Sequence, residues 1–493
     1  MKKIFFVFLF YLLRFSSYSQ GVDNLWMMGY DSYAGPPFGG ININFNSGSR
    51  VISYVNRPMN FGDVSATMCD SLGNVLFYTN AVYIANANND TMMNGSGLSP
   101  SFYSSSVGLN GLFVPQTALI IPRPGDNSKY YLLHGTVDDS VAYAHHIYYS
   151  EIDMSLNGGL GAVTSKNNVL LNDVLIPGRI TAVKHGNGRD WWVVFHEGHT
   201  DRYYIYLIDP SGIQFQSNQN IGSNLTSALG QGCFSPDGSK FAMYDALNDL
   251  DIFDFDRCNG IFSNPIHVSI NDNAAGGGVA FSSSSQVLYV SSTAYVYQFD
   301  LSAANIPSTK TTVAIWDTFY SPQPPAATSF YLSQLAPDGK IYMSCTNGTL
   351  DIHVIDYPDS VGLGCHVCQH CVHLPAYDNF GIPNLPNYHL GAWQGSLCDT
   401  VTSTGSWQTT VGREDVNLFP NPVTRILYAT INENFKIKNV KIFDAFGQEI
   451  FVNFSFIKNG EYLEVNTTSL SQGVYFLELL SDKEKVVKRF VKE

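Results

Sequence analysis

Phe234-Ser235-Pro236-Asp237-Gly238-Ser239-Lys240-Phe241-Ala242, then Leu250-Asp251-Ile252-Phe253-Asp254-Phe255-Asp256, recurs later in the chain. The second copy is Leu335-Ala336-Pro337-Asp338-Gly339-Lys340-Ile341-Tyr342-Met343, then Leu350-Asp351-Ile352-His353-Val354-Ile355-Asp356. Each copy reads as an apolar strand, a Pro-Asp-Gly turn, a second apolar strand and a third alternating strand. Asp-Gly supplies the positive φ that a tight hairpin needs. Degenerate copies occupy 66–78, 118–133, 180–195 and 279–290. Taking Gly73, Asp126, Gly188, Gly238, Ser284 and Gly339 as turn markers gives spacings of 53, 62, 50, 46 and 55 residues. Propeller repeats run about 40–50 residues, longer with insertions.

No copy shows a helix period, and one such unit cannot bury both faces alone. Radial packing into a β-propeller is the economical solution. Six blades are visible in the repeats. Two strand-like pieces in 26–45 could join 379–389 in a further blade, removing exposed edges where the chain ends meet. Seven blades are therefore favoured over six or eight. Composition agrees with an all-β chain: 14% charged residues against 14% aromatic, with 42 Gly among 493 residues.

The chain ends carry different signals. Lys2, Lys3 and the apolar run 4–13, closed by Arg14, form a signal peptide. Cleavage is expected after Ser19. Residues 399–415 are rich in Thr, Ser and Gly and read as a linker. Residues 416–493 hold several further short strands, in keeping with a small Ig-like sandwich. Four domains follow: signal peptide 1–19, propeller 20–398, linker 399–415 and C-terminal domain 416–493. No other apolar stretch is long enough to span a membrane.

The C-terminal segment contains Leu418-Phe419-Pro420-Asn421-Pro422, Asp444-Ala445-Phe446-Gly447, Gly473-Val474-Tyr475-Phe476-Leu477 and Lys488-Arg489-Phe490-Val491-Lys492. It resembles the type A C-terminal sorting domain of type IX (Por) secretion, the outer-membrane export route of Bacteroidetes. The resemblance makes Pro420, Asn421, Pro422, Gly447, Gly473, Tyr475 and Lys488 the sorting motif. It implies the secretion machinery as a partner and a secreted or cell-surface destination, reached through the periplasm. The body resembles a family of exported Bacteroidetes propellers through Leu76-Phe77-Tyr78-Thr79-Asn80, Gly158-Gly159-Leu160-Gly161 and Gly381-Ile382-Pro383-Asn384. That likeness implies a propeller and export, and no reaction.

Net charge is −14; the signal peptide contributes +3 and residues 416–493 contribute +1, leaving −18 on 20–415. A body this acidic repels phosphate backbones, which argues against nucleic acid. Carbohydrate, protein or a surface polymer remains as ligand, held by exposed Tyr and Trp. Nothing calls for a cofactor: Gly276-Gly277-Gly278 lacks the P-loop Lys, and no nucleophile elbow occurs.

Three groups compete for chemistry. Cys365, Cys368 and Cys371, interleaved with His366, His370 and His373, could ligate a soft metal. In an oxidising compartment disulfides are the preferred reading, with Cys398 as a fourth partner. His134, His145, His146, His185, His196 and His199 gather with Trp191 and Trp192. Packing and hydrogen bonding is their expected role. The alternative is a hydrolase or lyase site at the channel mouth, lined by His185 and His196. Asp249, Asp251, Asp254 and Asp256 could hold Ca²⁺, as could Asn88, Asn89 and Asp90. A solvated strand face and a polar turn are the expected readings.

Overall fold

The structure is a computed structural model. It describes residues 21–139, 143–322, 325–399, 416–431, 437–444, 449–450, 452–457, 462–480 and 485–493. The signal peptide, residues 400–415 of the linker, and Gly447 lie outside the described residues. The chain divides into two compact units, Met1–Val401 and Thr402–Glu493.

The first unit is a series of antiparallel meanders. The first has strands Leu25–Tyr30, Gly39–Asn44 and Val51–Val55; the second runs from Ala66–Cys69 to Thr91–Ser96. The third runs from Ala118–Pro122 to Ala162–Leu175, and the fourth from Thr181–Lys184 to Gly212–Asn220. The fifth runs from Gly230–Phe234 to Ile261–Val268, the sixth from Gly277–Phe281 to Thr311–Ile315, and the seventh from Phe330–Leu335 to Val367–Asn379. The second and third join edge to edge through one parallel pair, Ala162 with Met93. First strands of neighbouring meanders touch: second with third, fourth with fifth, fifth with sixth and sixth with seventh. They therefore lie innermost, and the architecture is a β-propeller.

Period-two alternation builds the core between meanders. Phe241 faces the fourth meander with Val183 and Tyr203, while its neighbour Ala242 faces the sixth with Val279 and Leu288. Ala280 then faces the seventh with Phe330 and Ile341. At the chain's start, Leu25 and Met27 pack with Phe77 of the second meander. Trp26 and Met28 pack with Leu332 and Tyr342 of the seventh. One strand thus joins both ends of the ring through its two faces, so no meander keeps an uncovered apolar face there.

The repeat turns share one geometry. The amide at Gly73, Asp126, Gly188, Gly238, Ser285 or Gly339 donates to the carbonyl three residues back, at 2.8–3.2 Å. Gly238 and Gly339 have φ of 72° and 77°. Ser285, not Ser284, takes the positive φ in the all-serine turn. Lys240, after the fifth meander's turn, reaches Asp254 on its third strand at 2.6 Å. Lys340 pairs with Asp356 in the same way in the seventh.

One expectation needs correction. Residues 379–389 do not complete the first meander, which has three strands, all between 25 and 55. The outer strand of the seventh ends at Asn379, and the chain then turns inward without forming a ladder. Pro383 and Pro386 lack the donors a ladder needs.

The second unit contains two four-stranded antiparallel sheets. Val416, Leu427, Leu463 and Val465 of one sheet share a core with Ile442, Leu477, Leu479 and Phe490 of the other. Among the described residues no helix is long and apolar enough to cross a membrane.

Candidate functional site at the propeller axis and its ends

The inward segment 381–389 occupies the axis. Asn384 N donates to Ser65 O of the second meander, and its Nδ2 donates to Ala118 O of the third and Ile180 O beside the fourth, each at 3.0 Å. Asn387 Nδ2 donates to Pro236 O at 2.7 Å, and Tyr388 OH donates to Ile120 O at 2.8 Å. A Cβ on Gly381 would lie 2.6 Å from Gly62 O, so only glycine permits this approach. The Gly-Ile-Pro-Asn motif is therefore an axial clasp.

Beside the clasp lies a cavity of about 190 Å³, lined by inner strands and by Asn384, Leu385 and Asn387. Two of its glutamines are committed to the wall. Gln116 donates to Gly232 O at 2.9 Å and accepts from Gly232 N at 3.0 Å. Gln231 donates to Ser333 O at 2.8 Å and accepts from Val279 N at 3.1 Å and Ser333 N at 3.0 Å. Each amide side chain extends the strand pairing across to a neighbour that has no ladder of its own. Replacing Gln231 with Ala should destabilise the body by about 2–3 kcal/mol, because it orphans buried backbone groups. Denaturant unfolding of wild type and variant checks this.

His185 and His196 are not brought together. His185 lies at the turn beside Trp192, accepting from Asn187 N and facing Cys258 O at 3.1 Å. His196 ends the strand Trp191–His196, packed edge-on against Tyr203. Five strand residues, or roughly 16 Å, separate the two ends. Burial pushes the His196 imidazole down to about 3, and among the described residues neither ring nitrogen has a hydrogen-bond partner. His134 is held between Ser99 and Ser150, and burial also pushes it down to about 3. His145 and His146 approach Asp139 and Asp138, and His199 meets Tyr143. Trp191 stacks under Lys184 Nζ at 4.1 Å, and Trp192 donates to Arg257 O at 2.7 Å.

The cysteines pair differently from expectation. Cys368 and Cys371 form a local disulfide, but Cys398 pairs with Cys258, which the sequence reading did not propose. Cys365 is buried and free. Among the described residues no group of three or more His, Cys, Asp or Glu is arranged to hold a metal. The aspartate run also differs from a solvated face. Asp251 is buried and accepts from Ser223 N at 2.7 Å, with His267 Nδ1 at 2.8 Å. Asp254 meets Lys240 and Asn264, while Asp256 caps the amide of Cys258. Asn88, Asn89 and Asp90 form a hairpin turn, in which Asn89 accepts from Tyr78 OH at 2.7 Å.

In the second unit the first and last motifs meet. Asn421 Nδ2 donates to Arg489 O at 3.2 Å, and its Oδ1 accepts from Val491 N at 2.9 Å. Val423 N donates to Val491 O at 2.7 Å. Pro420 and Pro422 flank this contact. Gly473 opens the strand Gly473–Leu480, opposite Lys492. Tyr475 stacks on Phe490 and donates to Ser471 O at 2.9 Å, and Lys488 lies opposite Leu477.

Residues 417–493 match the family described as the secretion system C-terminal sorting domain. The chain carries the address of type IX secretion and is exported to the cell surface or extracellular space. No curated protein matches the chain. A functionally unknown protein from Desulfotomaculum acetoxidans is similar at 13% identity, over 73% of this chain and 99% of its own, with a TM-score of 0.40. The Dos1 propeller is similar at 11% identity, over 71% and 82%, with a TM-score of 0.36. A quinonprotein alcohol dehydrogenase-like protein from Bacteroides thetaiotaomicron is similar at 11% identity, over 73% and 76%, with a TM-score of 0.36. Likeness at this level carries no activity across, since one fold hosts many functions.

Proposed function

We propose that the propeller is an extracellular binding or adhesion module, carried out by the sorting domain after a signal peptide cleaved behind Ser19. The observation that carries this reading is the state of the axis. Its cavity of about 190 Å³ falls below the roughly 300–1,000 Å³ of ordinary ligand pockets. Its glutamines and asparagine are spent on the wall and clasp. Contact area lies instead on the outer surface, where Tyr33, Phe102, Tyr357 and Trp393 are exposed. Aromatic side chains with one wet edge suit polymer surfaces.

The rival reading, a hydrolase or lyase at His185 and His196, asks two imidazoles at opposite ends of a hairpin to act on one substrate. The binding reading is tested by screening the exported protein against glycans, surface polymers and outer-surface proteins. Saturable binding to one class is the expected result. Turnover of a substrate with no stable binding to any class would sink it.

A further inference from the structure

Four loops meet where the second meander begins. Asp31 N donates to Asn60 Oδ1 at 2.8 Å, and Asn60 Nδ2 donates to Asn110 Oδ1 at 3.0 Å. Asn80 Nδ2 donates to Asn60 O at 2.9 Å and Leu109 O at 3.1 Å. This asparagine chain fixes the loops as one rim. Tyr33, Leu109 and Phe113 are exposed along it, and Phe102 opens the adjoining short helix Phe102–Val107. Soluble surfaces rarely gather large apolar side chains without a use for them.

A carboxylate sits under the rim. The Phe113 ring lies so close to Gly62 that a Cβ there would meet its Cδ1 at 3.1 Å. The next residue, Asp63, is only 8% exposed, and its Oδ1 has no hydrogen-bond partner among the described residues. Gly381 also packs against Gly62 and Asp63. Phe380 before it holds a φ of 63° and lies 6.5 Å from the Tyr331 ring. Asp378, two residues earlier, is buried as well. Neither carboxylate makes an ion pair with Lys, Arg or His among the described residues. Burial pushes Asp63 up to about 7, and burial followed by the charge of Asp63 pushes Asp378 up. A buried carboxylate oxygen without a partner is costly, and an incoming cation removes that cost. Aromatic faces beside it favour the same cation.

We infer that this rim is the propeller's ligand site and that it takes an amine-bearing sugar, with the ring on Phe113 and Tyr33 and the ammonium at Asp63. The inference rests on the binding reading and gives it a place and a ligand class. Aromatic side chains from two separate loop segments suit successive flat rings of a glycan. A single flexible lysine side chain would need only one of them.

The test is calorimetric titration of the exported protein with a glucosamine tetramer and with its N-acetylated counterpart. The amine form should bind at least about tenfold more tightly, because acetylation removes the charge. Asp63→Asn should abolish that preference, and Phe113→Ala should weaken both oligomers. Leu363→Ala, on another exposed loop, should change neither. Circular dichroism on each variant separates lost binding from lost folding. Equal affinity for both oligomers, an undiminished preference in Asp63→Asn, or tighter binding of an oligolysine overturns the inference. If neither oligomer binds while the wider screen finds another ligand, the inference falls and the binding reading stands. If no class binds at all, both fall.

Discussion

Replacing Cys258 and Cys398 together with Ser should lower the unfolding free energy of the body by roughly 5 kcal/mol, on the chain-entropy estimate for a closed loop of this size. The bond joins residues 140 apart, from the turn after the fifth meander's third strand to Cys398, beyond the inward segment. It restricts the unfolded chain across the last strand of the fifth meander and all of the sixth and seventh. It also anchors the clasp from its far end. Arg257 Nη2 donates to Gly391 O at 2.6 Å, and Trp393 N donates to Gly186 O at 2.7 Å, so the strap keeps some purchase when the bond is lost. The Cys368–Cys371 bond spans three residues and offers an internal comparison. Its removal should cost roughly 2 kcal/mol by the same relation. Denaturant unfolding of the two double variants, with reduced wild type alongside, measures both. Equal effects would show that loop size does not govern them. Limited proteolysis supplies a second readout. The 258/398 variant should be cut between 389 and 398, and the 368/371 variant should not.

These contrasts show where the sequence stops being legible. The Pro-Asp-Gly repeat was readable because a positive φ at a fixed place leaves few residue choices. All six marked turns close the same hydrogen bond, with Ser285 displacing Ser284 in the one copy that lacks glycine. Alternation was readable too, because it encodes which face a residue takes. It does not encode position along the axis. His185 and His196 lie on one hairpin, so they seemed neighbours, yet the register Lys184–Trp191 and Thr181–Val194 sets them at opposite ends. Cysteine pairing was unreadable for a related reason. Cys365, Cys368 and Cys371 are close in sequence, but proximity to Cys398 is decided by where the chain turns after Asn379. Asp251 misled because its neighbours look like a wet strand, whereas it is buried and its partners Ser223 and His267 come from other segments. Asp63 gave no signal at all. One aspartate after Phe-Gly is ordinary, and its interest comes from Phe113, Gly381 and Asp378 closing around it.

Deleting 416–493 should abolish surface delivery and leave the protein in the periplasm, with the body still folded. Val416, Leu463, Leu477 and Phe490 form a core of the second unit, and the body has core clusters of its own. A sharper version removes only 485–493. That cut leaves most of the sorting domain in place but takes away the strand Lys485–Lys492. Asn421 then loses both backbone partners, Val423 loses Val491, and Tyr475 loses the ring it stacks on. The Pro-Asn-Pro segment is fixed by the chain's last strand, so motifs at opposite ends of the domain form one surface. The short truncation should therefore block export as fully as the long one. Asn421→Ala should give an intermediate loss, since the Val423–Val491 pairing survives it. Fractionation of a type IX-competent host, with immunoblots of medium, surface and periplasm, reads all three. Normal surface delivery of the long truncation would mean that the address lies elsewhere in the chain. Export of the short truncation alone would mean that recognition needs the Pro-Asn-Pro segment but not the strand that holds it.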